Sequence, residues 1–100
     1  MAYLNRQERE ALLNELKDMK INKARGKLRR MDKKGSVAYY RNAQMSGKLY
    51  TRYRLEGMGT QVTLVEVLQP PPPNASYKNP YKAKYEFVEV IVEPTPENRT

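Results

Sequence analysis

One hundred residues, 39% of them hydrophobic, are enough for one small domain with a modest core. The chain has neither cysteine nor histidine, which excludes disulfides, thiolate or imidazole metal ligands and the commonest general base. It carries a formal net charge of +8 and has no long apolar segment and no apolar signal core. We therefore expect a cytoplasmic, non-enzymatic protein without metal, cofactor or transmembrane segment; a secreted protein whose signal has been removed is the alternative location.

The first segment predicts an amphipathic helix that starts after Asn5. Asn5 can cap this helix, and Glu8 follows three residues later to return the hydrogen bond. Leu12, Leu16 and Met19 then follow at the i, i+4, i+7 spacing that forms one apolar stripe. We expect this stripe to face the core.

The next segment predicts a second helix, or a bend of the first, that ends before residue 35. Ala24, Leu28 and Met31 repeat the apolar spacing, and Gly26 among them weakens a helix by about 1 kcal/mol relative to alanine. The remaining positions are mostly basic, namely Lys23, Arg25, Lys27, Arg29, Arg30, Lys33 and Lys34. These residues form a solvated helix face or contact phosphate; ordering only on partner binding and attraction to anionic lipid are further alternatives.

Positive charge is concentrated in one part of the chain. Residues 17–54 contain thirteen of the nineteen basic residues and two of the eleven acidic residues. Such a field attracts anionic partners and speeds their encounter. We interpret it as a polyanion-binding feature, with nucleic acid as the first candidate; a basic protein without such a partner is the competing interpretation.

From residue 36 onwards the hydrophobic period changes to two, which is typical of strands. Four strands are predicted, at about 37–45, 49–56, 60–68 and 84–93. Glycine-containing turns predict hairpins between the first three. A proline-rich loop, 69–83, precedes the fourth strand and is a spacer or a docking site, and the tail 94–100 is expected to be irregular.

The predicted architecture is a single α+β domain. An N-terminal helix or helix pair within residues 1–34 packs on a four-stranded antiparallel β-meander. Residues 36–68 supply the first three strands and residues 84–93 the fourth.

The first hairpin is predicted to gather arginine and tyrosine on one face. A two-residue turn at Ser46-Gly47 places Arg41 opposite Arg52. The same register places Tyr39 opposite Arg54, whereas a turn one residue later places Arg41 opposite Arg54. Both registers give an outer face with Tyr39, Arg41, Tyr50, Arg52 and Arg54. Ordinary exposed strand residues are the competing interpretation.

The third strand supports these faces with one exception. A turn at Gly57-Met58 places Val62 and Leu64 on the apolar face. Glu66 falls on that same face, which counts against the register unless the strand end is exposed there.

The fourth strand is predicted to be apolar on both faces. Its alternating sets are Val88, Val90 and Val92 on one side, and Phe87, Glu89 and Ile91 on the other. This pattern favours a strand that is covered twice or lies at a homodimer contact. Glu86, Glu89 and Glu93 are expected to spread over both faces, which does not predict a carboxylate site.

We therefore predict a small nucleic-acid-binding accessory protein of low specificity that favours single-stranded DNA or RNA. Tyr39 and Tyr50 would stack on bases, while Arg41, Arg52 and Arg54 contact phosphate. The basic residues of the second helix would add non-specific attraction. The alternative is a protein–protein interaction module, either a homodimer or a subunit of a larger assembly with an acidic partner.

Overall fold

The computed structural model describes residues 3–31, 47–70, 73 and 84–98, together with the backbone of residues 36–39. Two helices come first, α1 Arg6–Lys17 and α2 Ile21–Met31. They are followed by β1 Ser36–Tyr39, β2 Lys48–Leu55, a 3-10 turn Glu56–Met58, β3 Thr60–Leu68 and β4 Tyr85–Pro94. The predicted α+β class, with a helix pair on an antiparallel sheet, is confirmed.

α1 begins at the predicted cap. The Asn5 side-chain oxygen accepts a hydrogen bond from the Glu8 backbone N–H at 2.9 Å, and the Glu8 carboxylate accepts one from the Asn5 N–H at 3.1 Å. Both bonds satisfy N–H groups at the helix start that have no intrahelical partner. Residues 18–20 then lead directly into α2, so the basic segment is a separate helix.

Both helices pack on the same face of the sheet. α1 contacts β4, and α2 contacts β2. The buried core consists of Leu12, Leu16, Ala24, Leu28, Tyr53, Leu55, Val62, Leu64 and Val90. Leu12 with Leu16 and Ala24 with Leu28 confirm the two predicted stripes, and Met31 is half-buried at the end of α2. Met19 also packs against the core but follows the end of α1, so it is not part of the helix as predicted. Each fully buried leucine contributes about 1.5–3 kcal/mol, so these stripes hold both helices on the sheet.

Three long antiparallel strands, β2, β3 and β4, form the body of the sheet. β2 and β3 pair in the register that the Gly57-Met58 turn predicts, with Tyr53 opposite Val62 and Thr51 opposite Leu64. Tyr53, Val62 and Leu64 are all buried beneath the helices. This pairing fixes which side chains of β2 face the core.

The short strand β1 pairs with β2 in a register that differs from both predicted ones. Tyr39 lies opposite Tyr50 instead of Arg54. The shift is an even number of residues, so every residue of β1 keeps its predicted face. Strand alternation cannot distinguish two such registers. The rest of the predicted first strand, residues 40–45, and most of the proline-rich loop lie outside the described residues.

A β-bulge in β4 changes which side chains share a face. Val65 of β3 pairs with Glu89. The next residue of β3, Glu66, pairs with Phe87, so Val88 is an extra residue and is 51% exposed. The change of phase places Phe87 on the core face with Val90 and Val92, whereas Ile91, opposite Thr63, stays on the face away from the helices. Both faces of β4 thus carry apolar side chains, but the predicted grouping of Phe87 with Glu89 and Ile91 is wrong, because the bulge moves Phe87 to the core face.

The segment after β4 is irregular but anchored. The Asn98 side-chain amide donates hydrogen bonds to the carbonyl oxygens of Leu4 and Gly59, both at 2.9 Å. The Thr95 N–H donates to the same Gly59 carbonyl at 2.9 Å. Gly59 has a φ of 58°, and a Cβ atom there would lie 2.6 Å from the Tyr3 ring. These bonds join the residues before α1, the β2–β3 turn and the residues after β4.

Candidate polyanion-binding surfaces

The predicted contact residues lie on two opposite sides of the molecule. The sheet-face group consists of Tyr50, Arg52 and Arg54, on the face of β2 that points away from the helices. The helix group consists of Lys23, Arg25, Lys27, Arg29 and Arg30 of α2. Because α2 packs on the other face of the sheet, these two groups do not form one continuous surface.

Four predicted contact residues are described only in part or not at all. Tyr39 shares the face of Tyr50 by its register in β1. Arg41, Lys33 and Lys34 lie outside the described residues. The predicted contact residues whose side chains are described are therefore those of β2 and α2.

The sheet face carries acidic residues as well as basic ones. The bulge brings Glu86 into phase, so β4 presents three exposed glutamates on this face, Glu86, Glu89 and Glu93. The prediction that they spread over both faces is wrong. β2 presents three exposed basic residues there, Lys48, Arg52 and Arg54. The two rows are separated by two strand spacings, about 10 Å, so a phosphate chain on this face meets both signs of charge.

The middle of the sheet face is closed to solvent. Val65 is 1% exposed and Thr63 is 4% exposed, although both lie on the side away from the helices. Tyr50, which is opposite Val65, is half-buried. An open platform on which several bases could stack is therefore smaller than the sequence predicts.

Arg54 at one end of this face is close to carboxylates. It lines a pocket of about 320 Å³ together with Tyr3, Glu56 and Glu97. A backbone hydrogen bond, a hydrogen bond from Thr95 and the nearby charge of Arg54 lower the pKa of Glu97. Glu97 is thus ionised at neutral pH and reduces the positive potential at Arg54.

Two basic residues of α2 attach the helix to the rest of the fold. Arg25 forms a salt bridge with Glu66, whose side chain is 8% exposed on the core face of β3. Lys27 forms a salt bridge with Glu15 of α1 at 2.9 Å. The Arg25–Glu66 bridge explains how a glutamate occupies the apolar face of the sheet, which the sequence left open. Arg25 and Lys27 flank the buried stripe of α2 and do not belong to its outer side.

The outer side of α2 is basic without acidic neighbours on the helix. We call Asn22, Lys23, Gly26, Arg29 and Arg30 the basic strip. The side chains of Lys23, Arg29 and Arg30 are exposed, and α2 contains no aspartate or glutamate. The strip therefore carries three positive charges, whereas the six charged residues that β2 and β4 present on the sheet face cancel in formal charge.

The anchoring cations of α2 and the exposed ones were predicted as one group of contact residues. The signal was present, since Arg25 and Lys27 are each one residue from the buried pair Ala24 and Leu28. A helix places such neighbours at the margins of the buried stripe. Glu66, the single acidic residue on the predicted apolar face, indicated that one of these cations needed to point inward.

Comparison of the chain with protein-family models, with curated proteins and with solved structures gave no match. Function has to be inferred from the residues themselves. Across the described parts of the chain, neither helix has the length and apolar character needed to cross a bilayer. The same parts bring together no group of three acidic side chains suited to holding a metal ion.

Proposed function

We propose that this protein is a small, non-enzymatic, cytoplasmic nucleic-acid-binding accessory protein whose main contact surface is the basic strip of α2. The observation that carries the proposal is the sorting of the five basic residues of that helix. Arg25 and Lys27 make internal salt bridges, while Lys23, Arg29 and Arg30 are exposed. The helix is thereby fixed in place with its remaining positive charges directed outward.

The distribution of charge favours the basic strip of α2 over the sheet face as the surface that binds a polyanion. A polyanion gains affinity by replacing condensed counterions with fixed cations, at about one counterion per phosphate contact. On the strip, no acidic residue of α2 opposes this gain. On the sheet face, the exposed glutamates of β4 oppose it at about the range of the Debye length. Binding at the strip is therefore the stronger electrostatic arrangement.

The expected binding is weak and depends on salt. Three phosphate contacts give a slope of log affinity against log salt of about −2.7 on B-form DNA and about −2.1 on a single strand. Contacts of this type carry no sequence information, which fits the low specificity expected from composition. The preference for single strands depends on stacking at Tyr50 and Tyr39 and is the less supported part of the hypothesis.

A pair of matched triple variants tests this proposal. The strip variant replaces Lys23, Arg29 and Arg30 with glutamine, and the sheet variant replaces Lys48, Arg52 and Arg54 with glutamine. Both remove three charges from exposed positions. Fluorescence anisotropy with labelled oligonucleotides should show the strip variant weakened by more than about tenfold at low salt and the sheet variant weakened less. Absence of wild-type binding at low salt, or the reverse order of the variants, would refute the proposal.

A second candidate function is protein–protein interaction at β4. The observation that favours it is Val88, a 51% exposed apolar residue at the bulge. It lines a small cleft with Lys17, Phe87, Glu89 and Val90. Bulges and charged residues also protect edge strands from unwanted pairing, so the bulge and the glutamates of β4 also fit an edge strand that does not pair with another chain. Light scattering distinguishes an interface at β4 from a protected edge strand. A dimer that dissociates in the Val88→Lys variant supports the interface, whereas a monomer at all concentrations refutes it.

A further inference from the structure

Gly26 lies at the centre of the exposed side of α2. It is two residues from Ala24 and two residues from Leu28, the fully buried residues of the helix. At about 100° per residue, both lie about 200° from Gly26 in opposite directions, so Gly26 points directly away from the core. Lys23 and Arg30 lie on one side of it and Asn22 and Arg29 on the other.

The fold does not require glycine at this position. Gly26 has no positive φ, unlike Gly47 and Gly59. A Cβ atom there would meet only the end of the Arg30 side chain, at 3.7 Å, which is ordinary van der Waals contact. Glycine inside a helix nevertheless costs about 1 kcal/mol relative to alanine. The residue therefore weakens the helix without a packing reason within the described structure.

Only the flexible end of the Arg30 side chain lies in front of Gly26, so another surface that displaces it can approach the helix backbone closely. Asn22 borders this position, and asparagine makes paired hydrogen bonds with the edge of adenine, while Lys23, Arg29 and Arg30 are the proposed phosphate contacts. The strip thus combines phosphate-binding charge at its sides with a shallow centre. That shape suits a ligand that curves around the helix.

We propose that α2 docks lengthwise in the major groove of double-stranded DNA, with Gly26 at the point of closest approach. This inference rests on the proposed function and names its ligand. α2 has eleven residues and is about 16 Å long, and a helix about 10–12 Å across fits the major groove of about 12 Å. Its sequence has no aromatic side chain on which unpaired bases could stack. The narrow major groove of an RNA duplex does not admit side chains, so DNA is the duplex expected.

The test is a substitution that adds a side chain at Gly26 without changing the charge of the strip. Gly26→Leu introduces a good helix former at a partly exposed site that meets only the end of the Arg30 side chain, so the fold is expected to stay intact. Asn14→Leu on the exposed side of α1 is the matched control for an added surface leucine. Each protein is titrated by anisotropy against a labelled DNA duplex, one of its strands and an RNA duplex of the same sequence, and thermal melting verifies folding.

The expected result is that wild-type protein binds the DNA duplex more tightly than the other two ligands. Gly26→Leu should weaken duplex binding by about tenfold, the loss of one good base contact, and leave single-strand binding within about twofold. Asn14→Leu should change neither. Equal affinity for all three ligands, unchanged by Gly26→Leu, would overturn the groove inference and leave the proposed function standing. Failure of the wild-type protein to bind any of the three would overturn both.

Discussion

Arg25 of α2 reaches across the helix–sheet interface to the carboxylate of Glu66 on β3. Glu66 is buried among the apolar residues of the core face, whereas the Arg25 side chain keeps 29% of its exposure. The salt bridge neutralises a charge that would otherwise be stranded in the core. It also fixes the rotation of α2, which directs the basic strip outward.

Replacing Arg25 with methionine is expected to destabilise the fold because it leaves the Glu66 carboxylate buried without a partner. The loss should be about 2–4 kcal/mol, slightly less than for a fully buried pair since Arg25 is partly exposed. Urea unfolding followed by circular dichroism measures it. The double variant Arg25→Met with Glu66→Leu removes both charges and should recover most of the loss. A single variant as stable as wild type would show that the bridge does not anchor α2.

Lys23→Gln provides the contrast to Arg25→Met within the same helix. Lys23 is exposed and belongs to the basic strip, so its replacement should change the free energy of unfolding by less than about 0.5 kcal/mol. It should lower nucleic-acid affinity and reduce the salt slope by about 0.7–0.9, the value of one phosphate contact. Paired melting and anisotropy experiments check both effects. A stability loss without a change of slope would place Lys23 among the structural residues.

Gly26→Ala is expected to stabilise the protein. The helix gains about 0.5–1 kcal/mol from the better propensity of alanine, and the added methyl group meets only the end of Arg30. The increase should appear as a higher urea midpoint with an unchanged m-value. A lower midpoint would mean that Gly26 has a structural role within the fold.

Gly59 and Gly47 offer a matched comparison of two glycines with positive φ. Gly59→Ala should destabilise the fold by about 2–4 kcal/mol. Alanine is strained in the left-handed backbone conformation, and its Cβ would also overlap the Tyr3 ring and Asn98. Gly47→Ala should cost only the backbone strain of about 1–2 kcal/mol, because its Cβ would lie in ordinary van der Waals contact, 3.5 Å from Leu68. Equal losses in urea unfolding would show that the close packing around Gly59 does not contribute.

Local sequence signals predicted the helices and the β2–β3 hairpin. Asn5 with Glu8 marked the start of α1, and the Gly57-Met58 turn gave the pairing of Tyr53 with Val62. Both depend on residues that are close in sequence. The register of β1 could not be predicted, because two registers an even number of residues apart give the same alternation of faces.

The candidate site was predicted only in part. The bulge at Val88 is a single extra residue, and alternation that assumes regular pairing assigns Glu86 to the wrong face. The inward direction of Arg25 depends on Glu66, which is distant in sequence and reaches it only through the packing of α2 on the sheet. For these reasons the composition favoured a polyanion ligand but did not predict which side of the molecule carries exposed positive charge without acidic neighbours.

The most direct measurement of the central claim is a nuclear magnetic resonance titration of the ¹⁵N-labelled protein with a DNA duplex at low salt. Phosphate contact at the basic strip predicts the largest amide shifts at Asn22, Lys23, Gly26, Arg29 and Arg30, and small shifts along β2 from Lys48 to Arg54. Large shifts confined to β2, or no shifts at all, would contradict the account.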